Sequence, residues 1–149
     1  MRVVLQRVSQ ASVQVDGRIV GEIQRGLLAL VGIAQGDDDS VVQKIADKTA
    51  GLRIFPDASG KMNLDVQQAG GAILAVSQFT LLADCRKGRR PAFTGAAAPE
   101  IAKELYEAFV AKLRDRGLDV ATGIFAADMD VRLVNSGPVT IVLDEAKST

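Results

Sequence analysis

The chain has 149 residues, 48% apolar and 24% charged, the composition of a folded globular protein with enough length for a full hydrophobic core. Eighteen basic residues balance eighteen acidic ones, so bulk charge gives no reason to expect nucleic acid, and any such contact needs a local patch. There is no histidine and one cysteine, which excludes Ser-His-Asp and Cys-His machinery, the usual histidine-ligated zinc sites and an internal disulfide.

Residues 3–8 and 11–15 alternate apolar and polar side chains, and Asp16-Gly17 is a two-residue hairpin signature leading into residues 18–23. After Gly26, the run Leu27-Leu28-Ala29-Leu30-Val31-Gly32-Ile33 is continuously apolar, which suits a strand buried on both faces. Asp37-Asp38-Asp39-Ser40 follows. Three adjacent carboxylates suggest a metal site, but acidic and Ser/Asp residues also satisfy the free N–H groups and dipole of a helix N-terminus, and that reading is preferred. The predicted helix carries Val41, Val42, Ile45, Ala46, Thr49 and Leu52 on one stripe. Residues 53–56 leave it, 57–60 form a turn and 61–64 a short extended piece.

Gly70-Gly71 introduces a second buried strand, Ala72-Ile73-Leu74-Ala75-Val76, predicted to run straight into Ser77-Gln78-Phe79-Thr80-Leu81. Residues 83–98 are basic, Gly/Ala-containing and aperiodic, a surface loop in character. A second helix starts near Pro99-Glu100, with Ile101, Leu105, Phe109 and Leu113, and Ala102 and Ala108 nearby, as its core stripe and Gly117 as its stop. Residues 119–125 and 130–143 are the closing strands. Within the last of these sits Gly137-Pro138, although proline has no N–H for a ladder and glycine no side chain to pack. A hairpin turn between two strands is the ordinary explanation. The sharper one is that backbone carbonyls are held out of the ladder and aimed at a ligand, as a cis Gly-Pro bond would do.

The order of elements predicts an α/β chain of the α+β type. It is a mixed, largely antiparallel curled sheet or partial β-barrel with two helices packed on it, in a single domain over residues 1–149. No apolar run approaches the roughly 20 residues of a membrane-spanning helix. The N-terminus is too charged for a signal peptide, and a cytoplasmic location is expected.

Three stretches carry chemistry. Ser77-Gln78-Phe79-Thr80-Leu81 places polar groups after an apolar strand. By ordinary alternation Gln78 and Thr80 face one way and Ser77, Phe79 and Leu81 the other; alternatively the strand ends in a pocket, where hydroxyls and N–H groups bind a polar substrate or an oxyanion. Thr80 is a poor nucleophile without an adjacent base. Arg86-Lys87-Gly88-Arg89-Arg90-Pro91 puts four cations within five residues, either a solvated run or a phosphate clamp to which Phe93 adds an aromatic face. Cys85 has basic neighbours but no partner base and is read as inert. Phe125 and Met129, between two strands, have the composition of core.

Together, Ser77-Gln78-Phe79-Thr80-Leu81 and Asn135-Ser136-Gly137-Pro138-Val139-Thr140 resemble the two signature motifs of D-aminoacyl-tRNA deacylases. The resemblance extends through Gln6-Arg7-Val8, Gly60-Lys61-Met62-Asn63-Leu64, Gln67-Gln68-Ala69-Gly70-Gly71, Arg90-Pro91 with Phe93, and Phe125-Ala126-Ala127-Asp128-Met129, and so covers essentially the whole chain. It implies a homodimeric hydrolase that removes D-amino acids esterified to tRNA, and glycine mischarged on alanine tRNA. Gly137-Pro138 would be a cis pair inserted into the partner's pocket, whose carbonyls exclude L-residues. Arg7, with Asn135, would hold that pair. Ser77, Gln78, Phe79 and Thr80 would form the catalytic pocket, with the tRNA 2′-hydroxyl assisting. Phe125 and Met129 would wall the terminal adenosine, and Arg86, Lys87, Arg89 and Arg90 would meet the acceptor end. No cofactor, metal, membrane or DNA partner is expected. The competing reading is a non-catalytic dimeric module that binds tRNA or another polyanion.

Overall fold

The computed structural model describes residues 1–148. The two alternating N-terminal stretches form one strand, β1 (Arg2–Val15), and β2 (Arg18–Ile23) folds back on its second half. The turn residues Asp16 and Gly17 both have positive φ, 49° and 77°, the combination a two-residue hairpin turn of the favoured twist requires. On the same edge of β1, its first half pairs antiparallel with β3 (Gly26–Gly32), Val3 opposite Val31 and Arg7 opposite Leu27. From β3 the chain passes through α1 (Asp39–Gly51) and a small hairpin, β4 (Phe55–Pro56) with β5 (Met62–Leu64). It then returns as β6 (Ala72–Ser77), parallel to β3. A second crossover through α2 (Pro99–Asp115) places β7 (Val120–Thr122) parallel to β6. The final strand, β8 (Asp130–Asp144), runs antiparallel along the other edge of β1.

The result is a mixed sheet curled almost into a barrel, with β2 brought against β7 across one seam that carries no ladder. Closure there depends on Gly21, where a Cβ would lie 2.3 Å from the Thr122 carbonyl oxygen.

Curling gives the sheet two buried faces, which explains the unbroken apolar runs. Leu27, Ala29, Val31, Ile73 and Ala75 face outward into a core shared with α1 and α2. Leu28, Leu74 and Val76 face inward to a second core with Val8, Ala11 and Val13. Strands β3 and β6 therefore alternate between two cores rather than between core and water.

The three aspartates at the start of α1 have separate partners. Asp37 accepts from the Ala34 N–H at 2.7 Å, Asp38 caps the helix by accepting from the Ser40 and Val41 N–H groups, and Asp39 meets Lys112 of α2 at 3.2 Å. The Ser40 hydroxyl bond, followed by Lys147, holds the Asp38 carboxyl far below its ordinary range.

Three expectations need correction. Residues 130–144 do not form a hairpin at Gly137-Pro138; they form one strand that pairs with β1 on both sides of the dipeptide. Strand β6 does not continue to Leu81 but stops at Ser77 and gives way to a 3₁₀ turn, Phe79–Leu82. Ile101 is 51% exposed rather than part of the α2 core stripe. That stripe is Ala102, Leu105, Tyr106, Phe109, Val110 and Leu113, and at 100° per residue position 101 falls about a third of a turn from its centre.

Candidate active site

Two structures flank β1, and each is built from one of the motifs. The first is the interruption in β8. Gln6 pairs with Thr140 and Val8 with Asn135, so Arg7 alone faces four residues, Ser136 to Val139, that bulge out of the ladder. A second irregularity between Val8 and Gln10 shifts the register of β1 as well. The Gly137–Pro138 peptide bond is cis.

Side chains hold the bulge at both ends. Arg7 Nε donates to the Ser136 carbonyl at 2.8 Å, and its Nη1 donates to the Ile54 carbonyl at 2.7 Å, so one guanidinium joins the bulge to the chain entering β4. Asn135 closes the base. Its Oδ1 accepts from the Val139 N–H at 2.7 Å, while Nδ2 donates to the Val139 carbonyl at 3.2 Å and to Thr140 Oγ1 at 3.1 Å. At Gly137, φ is +148°, and an added Cβ would sit 2.7 Å from Val139 Cγ2 and 3.1 Å from Arg7 Nη2. The bulge tip, Ser136 to Pro138, is exposed.

The second structure is the end of β6. Ser77 is the last paired residue, opposite Val31, and the Gln78 N–H donates to the Val31 carbonyl at 2.7 Å. The chain then tightens into the 3₁₀ turn, whose first closing bond runs from the Leu81 N–H to the Gln78 carbonyl at 3.2 Å. The leading N–H groups of such a turn have no acceptor within it and remain available to a ligand. The Gln78 side-chain amide donates to Thr80 Oγ1. An amide is no base, so Thr80 is positioned to donate its own proton and is not activated for attack.

Beneath this turn the core is tightly fixed. Tyr106 of α2 donates its hydroxyl to the Ala75 carbonyl of β6 at 2.8 Å, and burial pushes its pKa up to about 12. Arg2 clasps the far end, with Nη1 donating to the Leu81 carbonyl at 2.9 Å and the same guanidinium paired with Asp144. Neither Tyr106 nor Arg2 stood out in the sequence. A lone tyrosine on a helical stripe reads as core, and an arginine at a polar position of an alternating strand carries no distinguishing signal.

The basic loop follows directly. Asp84 and Ala92 pair as an isolated antiparallel bridge, and Phe93 packs edge-on against Phe79 with ring centroids 5.0 Å apart. Phe125 packs on Tyr106 at 6.2 Å, and Met129 lies over Gly123, where its Sδ would be 2.6 Å from an added Cβ. Both are half-buried against core, and between them Ala126 holds a φ of +64°, uncommon for a residue with a Cβ. Cys85 is a free, exposed thiol. Arg7, Asn135, Gly137 and Pro138 are therefore brought together, as are Ser77 to Thr80 with Phe93. Among the described residues, no hydrogen bond joins the β6 end to the bulge.

The chain is similar to known proteins over nearly its whole length. The sequence profile of the family described as D-Tyr-tRNA(Tyr) deacylase matches residues 4–144. The chain is 63% identical over 144 residues to a D-aminoacyl-tRNA deacylase of Rhodopirellula baltica, covering 97% of this chain and 99% of the relative. It is 61% identical over 147 residues to a D-aminoacyl-tRNA deacylase of Koribacter versatilis, covering 99% of each. Among solved structures it is similar to one described as c-Myc DNA Unwinding Element Binding Protein, with TM-score 0.93 and 38% identity over 99% of this chain and all of the other. A probable eukaryotic D-amino acid tRNA deacylase shares the fold at TM-score 0.83 and 20% identity, over 97% of this chain and 98% of the other. With that profile matched across nearly its full length, the chain belongs to the D-Tyr-tRNA(Tyr) deacylase family.

Proposed function

We propose that this chain hydrolyses the ester of D-aminoacyl-tRNA at the end of β6, and that the Gly137-Pro138 bulge of a second copy completes the pocket and excludes L-aminoacyl esters. The observation that carries this reading is the bulge itself: four residues opposite one, exposed at the tip and fixed by Arg7 and Asn135 at the base. Backbone carbonyls held out of a ladder make a wall whose shape does not depend on a flexible side chain. Such a wall crowds one substituent direction at the substrate Cα. A D-residue points its side chain away from it, and glycine has none, so glycine mischarged on alanine tRNA is also a substrate.

An aminoacyl ester is already activated, and a site that orients it and stabilises its oxyanion needs no strong protein base. The free N–H groups leading the 3₁₀ turn and the Thr80 hydroxyl supply donors. The ribose 2′-hydroxyl beside the ester assists the attacking water, in keeping with a chain that contains no histidine. Phe125 and Met129 wall the terminal adenine. A homodimer would bring into one pocket two motifs that share no hydrogen bond among the described residues of one chain. Because exclusion acts on the Cα substituent through backbone, D-amino-acid scope is broad.

The test is a panel of D-aminoacyl-tRNAs and L-Tyr-tRNA incubated with purified protein. Turnover of several D-esters and of glycine on alanine tRNA is expected, with the L-ester spared; turnover of a single D-amino acid would contradict exclusion by backbone. The alternative, a dimeric module that binds tRNA or another polyanion without hydrolysis, draws on the 38%-identical structure described as a DNA-element-binding protein. Binding of charged tRNA with no ester cleaved would favour it.

A further inference from the structure

The four clustered cations after β6 are not equivalent. Asp84 takes both Arg86 Nε, at 2.8 Å, and Arg86 Nη2, at 2.7 Å, so Arg86 is folded back in a bidentate pair. The Arg86 guanidinium depresses the Asp84 carboxyl in return. Among the described residues, Lys87, Arg89 and Arg90 have no carboxylate partner. They project from a closed ring of backbone. The Asp84 N–H donates to the Ala92 carbonyl at 2.7 Å and the Ala92 N–H donates back to Asp84 at 2.9 Å, and Gly88 turns the tip with φ +67°. The return leg is tied to the end of β3 by Gln35 N–H to Gly95 carbonyl at 2.8 Å and Ala97 N–H to Ile33 carbonyl at 3.0 Å. The tip is thus presented by a fixed frame.

Next to that frame stands Phe79, 55% exposed, with its ring braced edge-on by Phe93. An exposed braced aromatic beside unpaired cations on a fixed loop is the combination that holds single-stranded nucleic acid, the ring stacking on a base and the cations tracking the backbone. A duplex would leave the ring unused.

We infer that Lys87, Arg89 and Arg90, but not Arg86, form a phosphate track for the single-stranded 3′ end of the RNA, over the nucleotides just upstream of the terminal adenosine. This rests on the reading that tRNA carries the substrate. The track reads charge and not sequence, so it serves any acceptor end.

The test is binding of uncharged tRNA between 50 and 200 mM KCl. Each phosphate contact on a single strand contributes roughly 0.7 to the slope of log affinity against log salt. The triple variant Lys87→Ala/Arg89→Ala/Arg90→Ala is expected to bind at least about tenfold more weakly at low salt, with a slope shallower by about 2. The paired substitution Asp84→Asn with Arg86→Gln removes both charges of the bidentate pair and is expected to leave the slope where it was. On tRNA trimmed of its single-stranded 3′-terminal nucleotides, wild type and triple variant should have the same slope. An unchanged slope in the triple variant, an equal fall in the paired variant, or a difference that survives trimming would each overturn the inference. If these results hold while no D-ester is cleaved, the track stands and the hydrolytic reading fails.

Discussion

The end of β6 and the bulge of β8 are positioned by different forces. Strand β6 is buried on both faces between two apolar cores, and its last residues are placed by packing, with one buried tyrosine hydroxyl on the Ala75 carbonyl. The bulge lies in a half-exposed strand, and what fixes it is polar: one guanidinium and one carboxamide bonded to its backbone. Packing is non-directional, and it sets where an element lies. Hydrogen bonds from a planar side chain set how a carbonyl points. A surface that must present backbone at a defined angle to a ligand needs the second kind of support, and it can be altered at small cost to the fold.

The comparison breaks first at the core. Phe109→Ala empties a fully buried site under β6 and is expected to cost about 3–5 kcal/mol by urea unfolding. A loss below about 2 kcal/mol would mean that packing does not dominate there. Next comes Gly137→Ala, which forces a Cβ into Val139 and Arg7 at φ +148° and should cost about 1–3 kcal/mol in the same assay. Asn135→Ala removes three bonds from the base of the bulge, and a loss of about 1–2 kcal/mol is expected, with D/L discrimination falling by more than stability alone explains. If discrimination survives, the carboxamide does not orient the bulge.

The smallest effect is at Tyr106. Removing its hydroxyl should cost about 1 kcal/mol near neutral pH, because the Ala75 carbonyl keeps a second donor in the Gly123 N–H. The pH dependence sharpens this. The folded-state pKa, about 12, lies above the ordinary value of 10, so Tyr106 contributes its full stabilisation below pH 10 and loses it as pH rises from 10 towards 12. Wild type should therefore lose stability faster than Tyr106→Phe between pH 9 and 11. Parallel curves would show that the hydroxyl is not buried against β6.

The same contrast explains what the sequence made legible. Strands β3 and β6, both helices, the acidic N-terminus of α1 and the Asp16-Gly17 turn follow from periodicity and local turn chemistry, and the curled mixed sheet follows from their order. Gly137-Pro138 read locally as a hairpin because the rule for proline in a strand is local. What keeps β8 continuous is its pairing on either side with a strand more than a hundred residues away, which no window around the dipeptide contains. The 3₁₀ turn after Ser77 was hidden because alternation continues through Phe79 and Leu81 after the strand has ended. The i,i+4 spacing of Ile101 with Leu105 does not contain the arc of α2 that is buried, and Ile101 lies outside that arc. In the basic loop, composition counted four cations, and only geometry showed that Asp84 had taken one. The signature motifs themselves were legible by resemblance, while Arg2 and Tyr106, which hold the β6 end from below, were not.

The most direct measurement of the central claim is the rate of hydrolysis of D-Tyr-tRNA and L-Tyr-tRNA, side by side, by wild type and Gly137→Ala. Wild type is expected to cleave the D-ester and spare the L-ester, and the variant to narrow that ratio at least about tenfold, equivalent to ~1.4 kcal/mol of lost discrimination. Equal cleavage of both esters by wild type, or a variant that discriminates as wild type does, would contradict a chiral wall built from the backbone of the bulge.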